Sequence, residues 1–136
     1  MKNKRIEEIR KQEKHILDTY GNRSEEWAEF YKSFEEGAWS IIRAYVRSNE
    51  KGFDEIVFTD DSLIWEQEIE GALNFCREAK IGWFVYASGY SRTMETVMKM
   101  VDAGATVGKF VVKEYTRDSW GKEEVVRVPG VRINVQ

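Results

Sequence analysis

The apolar residues of this chain change their spacing near Gly52, and that change limits the folds open to it. Before Gly52 they recur every three or four residues, as on one face of a helix. After Gly52, short apolar runs alternate with segments of helical spacing, a pattern typical of parallel strands joined by helical crossovers. The sequence therefore predicts an α/β fold whose first part is helical.

Two helices are predicted in the helical part, residues 1–50. The first ends at Gly21-Asn22, and the second begins at Ser24, whose hydroxyl can cap a free N–H of the first turn. The second helix, residues 24–47, needs a sheet or another chain to cover its apolar stripe. That stripe consists of Trp27, Phe30, Tyr31, Phe34, Ala38, Trp39, Ile41, Ile42 and Tyr45.

The remaining part, residues 53–136, completes a single predicted domain spanning residues 1–136. We expect two N-terminal helices followed by a small three-layer β-α-β-α-β core with a C-terminal antiparallel hairpin strand. Pro129-Gly130 indicates a bend or an edge position in the last strand. The predicted strands are 56–58, 83–87, 107–115 and 124–135, and the predicted helices between them are 63–80 and 94–101.

The composition excludes several classes of site. The chain has one cysteine and one histidine, Cys76 and His15, which disfavours a zinc site and Cys-His catalysis. The Gly-rich spacings of nucleotide-binding loops are missing, and we expect neither a metal nor a cofactor. The charged start of the chain, the lack of a long apolar run and the single cysteine predict a cytoplasmic protein.

Polar residues follow two of the predicted strands. Parallel strands end at one edge of a sheet, and ligands bind beyond that edge. Carboxylates, hydroxyls and a guanidinium there suit a phosphorylated ligand with Mg²⁺, although the same residues could instead be helix caps. The candidate ligand-binding residues are Asp60, Asp61, Ser88, Ser91 and Arg92.

A run of glutamates marks a candidate surface for a protein partner. With a net charge of −3 the chain does not favour nucleic-acid binding, but an acidic surface suits a basic protein. A solvated helix face would explain the same glutamates. The candidate partner-binding residues are Glu25, Glu26, Glu29, Glu35 and Glu36.

Four segments carry a resemblance to a known family. They are 55–62 (EIVFTDDS), 88–95 (SGYSRTME), 102–105 (DAGA) and 128–133 (VPGVRI). They resemble small accessory proteins of phages and conjugative elements in anaerobic Gram-positive bacteria. The resemblance implies no reaction. It implies a mobile-element setting, in which small acidic proteins often block a host defence protein such as a CRISPR effector.

Three functions follow as hypotheses. The favoured one is a non-enzymatic protein-binding accessory protein of a mobile element, with an inhibitor of a host defence nuclease as its sharpest form. The first alternative is a small-ligand or phosphate-ester protein or enzyme that uses loops 59–62 and 88–93. The second is a structural homodimer that buries the aromatic stripe of residues 27–45.

Overall fold

The helical start forms three helices in the computed structural model, which describes residues 1–87 and 92–135. They are α1 (Lys4–Tyr20), α2 (Glu25–Lys32) and α3 (Ala38–Glu50). Ser24 caps α2 as predicted, because its Oγ accepts the Trp27 N–H at 3.1 Å. The prediction of one helix over 24–47 is wrong. The backbone turns at Gly37, which has φ +105° and packs against the backbone of Glu68 and Ala72.

Four strands form one mixed sheet, which confirms the α/β class. They are β1 (Val57–Phe58), β2 (Trp83–Tyr86), β3 (Thr106–Ser119) and β4 (Lys122–Asn134), in the order β1-β2-β4-β3. β1 and β2 are parallel, whereas β4 is antiparallel to both of its neighbours. β3 therefore runs in the predicted direction, but β4 lies between it and β2.

The position of β4 follows from its apolar pattern and from its turn. Val131 and Ile133 are buried and pair with Tyr86 and Phe84 of β2. The hairpin turn is only Trp120–Gly121, with φ of 54° and 78°, as a two-residue turn of the primed type requires. The short turn keeps β4 beside β3, so β4 is paired on both sides from Val131 onward.

All the helices that enter the main core lie on one face of the sheet. Besides α1 and α3 these are α4 (Ile69–Glu78) and α5 (Thr93–Asp102), whose buried residues join Phe58, Phe84 and Ile133. The opposite face is covered by Phe53 and the hairpin instead of a further helix layer. Its small cluster is Val57, Val85 and Ala87 with Phe53, Val111 and Val128.

The predicted helix over 63–80 begins later in the structure. A 3-10 turn over Glu66–Glu68 precedes α4, and residues 63–65 are not helical. Trp65 falls within the predicted helix, yet it lies before α4 and is 64% exposed. The interpretation was wrong because the helical spacing was extended over residues that lie before the helix.

The last strand is not interrupted at Pro129-Gly130. Pro129 pairs with Val112 of β3, and pairing with β2 begins two residues later, so Pro129 has no partner on the β2 side. Gly130 packs closely against Ala87 on the second face of the sheet, because a Cβ at position 130 would lie only 2.8 Å from the Ala87 Cβ.

Within residues 1–87 and 92–135, no helix combines the length and apolar character needed to cross a bilayer.

Candidate functional site

The loop after β1 lies at the predicted edge of the sheet. β1 and β2 are parallel, so Thr59 and Ala87 follow them at the same edge. Ser88 and Ser91 lie outside the described residues. Asp61 is bound within its own loop, since its Oδ1 accepts from Thr59 Oγ1 at 2.5 Å and from Ser62 Oγ at 3.2 Å.

Asp61 stabilises this loop through an ion pair with Lys51, whose Nζ lies 2.7 Å from Oδ2. Burial raises the pKa of Asp61, but the bonds from Lys51, Thr59 and Ser62 outweigh it and hold that pKa below its ordinary value. Neither Asp61 nor Ser62 is a helix cap here, because the next helical turn begins only at Glu66. In the described part of the chain, no group of three or more acidic, His or Cys side chains could hold a metal ion.

A cleft of about 690 Å³ opens at this same edge, and we call it the strand-end cleft. One wall is the segment before α4, the other is the first half of α5, and Tyr86 from the end of β2 lies between them. Of the predicted ligand-binding residues only Arg92 is in its described lining, and Asp60 and Asp61 are not. The described lining residues are Leu63, Ile64, Trp65, Glu66, Gln67, Tyr86, Arg92, Thr93, Glu95, Thr96 and Lys99.

The Tyr86 hydroxyl is held between the two walls. It has hydrogen-bonding contact with the Ile64 backbone and with the Thr96 side chain. Burial raises the pKa of Tyr86, and the negative charge of Asp60 raises it further, so the phenol stays protonated at neutral pH. The sequence pattern had shown Tyr86 only as part of an apolar strand.

The acidic face consists of the five predicted glutamates, all of which are exposed. Glu25 and Glu29 lie one turn apart on α2, on the side away from Trp27 and Tyr31. No ion pair involves these five carboxylates within the described residues. Glu25, Glu26 and Glu29 lie on α2, whereas Glu35 and Glu36 lie in the turn before α3, so the five do not share one helix face.

The aromatic residues of α2 are used inside the chain. Tyr31 stacks on Trp39 of α3 with ring centres 5.1 Å apart, and Trp39 Nε1 donates to the Tyr31 carbonyl oxygen at 3.1 Å. Phe30, Phe34 and Trp39 also pack against the main core. Most of this stripe is therefore already packed inside the chain, and a homodimer would have to bury a different surface.

A further exposed surface lies on the outer side of α5 and the adjoining part of β3. Met94, Met98 and Val101 recur with a spacing of four and three, and Met94 is 68% and Met98 64% exposed. Met100 of the same helix is instead buried. Thr96 and Lys99 point toward the cleft, so Met94 and Met98 lie on the other side of α5.

β3 continues this apolar surface. Val107 and Phe110 pair with Ile133 and Val131, which face the main core, so they lie on the helix-covered side of the sheet. α5 does not cover these two side chains, and Phe110 is 81% exposed. We call this region the α5–β3 surface. Its residues are Met94, Met98, Val101, Val107, Phe110 and Val112.

Comparison with known proteins gives one family. A family model described as a domain of unknown function, DUF7698, matches residues 40–135. No curated protein and no solved structure matches the chain. The matched region contains the whole α5–β3 surface and the strand-end cleft, but none of the five glutamates of the acidic face. Because the match covers well over half of the chain, the chain belongs to this family.

Proposed function

We propose that this member of the DUF7698 family is a non-enzymatic protein-binding module that contacts its partner through the α5–β3 surface. The observation that carries the proposal is the clustering of exposed apolar side chains. Of the 13 large apolar residues exposed in the described chain, six form this one surface, between Met94 and Val112. Contiguous exposed apolar surface is typical of protein interaction sites.

The chemistry of the surface indicates what the partner presents. Met94 and Met98 are flexible and polarisable, which suits contact with an irregular apolar surface. Phe110 stands out of a strand and supplies a rigid aromatic group of the kind that dominates binding energy. The partner would therefore offer an uncharged apolar patch with room for one aromatic side chain.

The free edge of β3 favours the same location. β3 is the last strand in the sheet order, so within residues 1–87 and 92–135 the backbone groups on its outer side have no strand partner. A bulge between Val107 and Phe110 twists this edge, and the charged residue Lys109 lies within it. Bulges and lysines of this kind protect an edge from random strand pairing. We therefore assign recognition to side chains and not to the addition of a strand.

The acidic face is the alternative location, as predicted from the sequence, with a basic protein as partner. The mobile-element setting makes a host defence nuclease the first partner to test, and this part of the proposal is based on the resemblance alone. Both locations can be compared in one experiment, because the two surfaces lie on separate elements.

The test compares three variants in affinity capture followed by binding measurements with the purified partner. Phe110→Ser combined with Met98→Ser should weaken binding at least about tenfold, equivalent to about 1.4 kcal/mol. Tyr20→Ser is the matched control, since Tyr20 is an exposed aromatic residue on α1, and it should bind as the unchanged protein does. Reversal of Glu25, Glu26 and Glu29 to Lys should also leave binding intact.

Two results would contradict the assignment. Loss of binding only in the charge-reversed protein would move the interface to the acidic face. Equal capture by all variants would show that neither surface binds the partner. Light scattering tests whether the chain self-associates, and we expect it to be a monomer.

A further inference from the structure

The strand-end cleft lies on the other side of α5 from the proposed docking surface, and the protein-binding function makes no use of it. It has one apolar wall, a buried tyrosine at the end of β2, and a mouth that carries four charged side chains. Small-molecule sites are typically concave and apolar with a few polar groups placed around them. Such sites in open sheets lie beyond the carboxyl ends of the parallel strands, where this cleft is.

The charges at the mouth form two opposite pairs. Lys99 Nζ on α5 lies 2.6 Å from Glu66 Oε1 on the opposite wall, so this ion pair spans the cleft. Arg92 Nε lies 3.2 Å from Glu95 Oε2 within the first turn of α5. All four side chains are substantially exposed, and exposed ion pairs add little to stability. A ligand with both charges can therefore insert between the partners of both pairs and offer each of them an opposite charge at little cost.

The apolar wall is held in place from behind. The Trp65 side chain is exposed, but the backbone N–H of Trp65 donates to Glu68 Oε1 at 2.9 Å. The other oxygen of Glu68 accepts from Ser40 Oγ on α3, also at 2.9 Å. The indole is thus presented to the cleft by a backbone that is fixed to the core, and an aromatic ring can stack against it.

We infer that the strand-end cleft binds a small zwitterion that carries an aromatic group, such as an aromatic amino acid. The carboxylate of the ligand pairs with Lys99 and Arg92, and its ammonium group pairs with Glu66 and Glu95. The aromatic group contacts Trp65. Charge complementarity favours this class over a simple anion, because each cation at the mouth has a carboxylate beside it.

The test follows the indole N–H signals in two-dimensional proton–nitrogen NMR spectra of the full chain, with Trp65→Phe assigning the Trp65 signal. L-phenylalanine should shift that signal saturably. Phenethylamine lacks the carboxylate and 3-phenylpropionate lacks the ammonium group, so each should bind at least about tenfold more weakly. L-leucine keeps both charges without the ring, and it should also bind more weakly.

Two variants locate the binding. Lys99→Met should reduce the affinity for L-phenylalanine at least about tenfold, and Glu66→Gln should do so as well. Lys32→Met is the matched control, because Lys32 is an exposed lysine on α2, and it should bind as the unchanged chain does. The dispersion of the same spectra shows whether each variant is folded.

The inference is overturned if L-phenylalanine leaves the Trp65 signal unmoved at about 10 mM, where even a millimolar site is mostly occupied. It is also overturned if 3-phenylpropionate binds as well as L-phenylalanine, or if Lys99→Met binds normally. Partner binding is independent of these outcomes, because Phe110→Ser should leave the Trp65 titration unchanged.

Discussion

A methyl group at Gly71 should destabilise the fold, although alanine is the better helix former. Gly71 lies inside α4, where replacement by alanine normally gains about 1 kcal/mol. Here the added carbon would overlap the Glu36 carbonyl oxygen and lie 3.0 Å from its carbonyl carbon. The obstacle is backbone and cannot rotate away. Overpacking of this kind costs up to about 3 kcal/mol, so the net loss is about 2 kcal/mol.

Urea unfolding followed by tryptophan fluorescence measures this loss of unfolding free energy. The same loss should lower the melting temperature of Gly71→Ala by about 8 °C. Gly82→Ala is the matched control. No atom lies within 4 Å of a Cβ at Gly82, and its φ is not positive. That variant should be as stable as the unchanged chain or gain about 0.5 kcal/mol. If Gly71→Ala is equally stable, the turn between α2 and α3 does not pack on α4, and our account of that contact fails.

Three further predictions concern single residues. Lys80 has φ +58° after α4, so Lys80→Gly should stabilise the chain by about 1 kcal/mol in the same urea assay. Burial raises the pKa of the Cys76 thiol to about 12, so a thiol reagent at pH 8 should modify Cys76 only after urea unfolds the chain. Despite burial, the bonds to Asp61 hold its pKa below its ordinary value, so the stability that Asp61 adds should disappear as the pH falls through its folded-state pKa. In acid, the free energy of unfolding of Asp61→Asn should therefore depend less on pH.

Local signals in the sequence predicted part of the elements correctly. Ser24 caps α2 as predicted, and the four strands lie close to their predicted ranges. Strand order was not predicted, because it depends on the pairing of residues far apart in the chain, such as Phe84 with Ile133. The break at Gly37 has the same origin, since it depends on contact with α4.

The sequence indicates where in the fold the candidate site lies, but not which residues line it. Parallel strands correctly indicated the edge of the sheet where the cleft lies. Polar side chains were then the natural candidates, yet Asp61 bonds to Thr59 and Ser62 and stays out of the cleft. Trp65 and Tyr86 line it instead, and the sequence predicts them only as parts of a helix and a strand. Side-chain partners decide this difference, and a single sequence does not contain them.

The place of β4 between β2 and β3 has a consequence during protein synthesis. Residues 83–86 leave the ribosome well before residues 131–134, with which they pair. Until then β2 has no strand beside it on the side that β4 will take, and no strand joins β3 to β2. The nascent polypeptide therefore completes its sheet in one late step, when the final strand enters the gap between two strands already made.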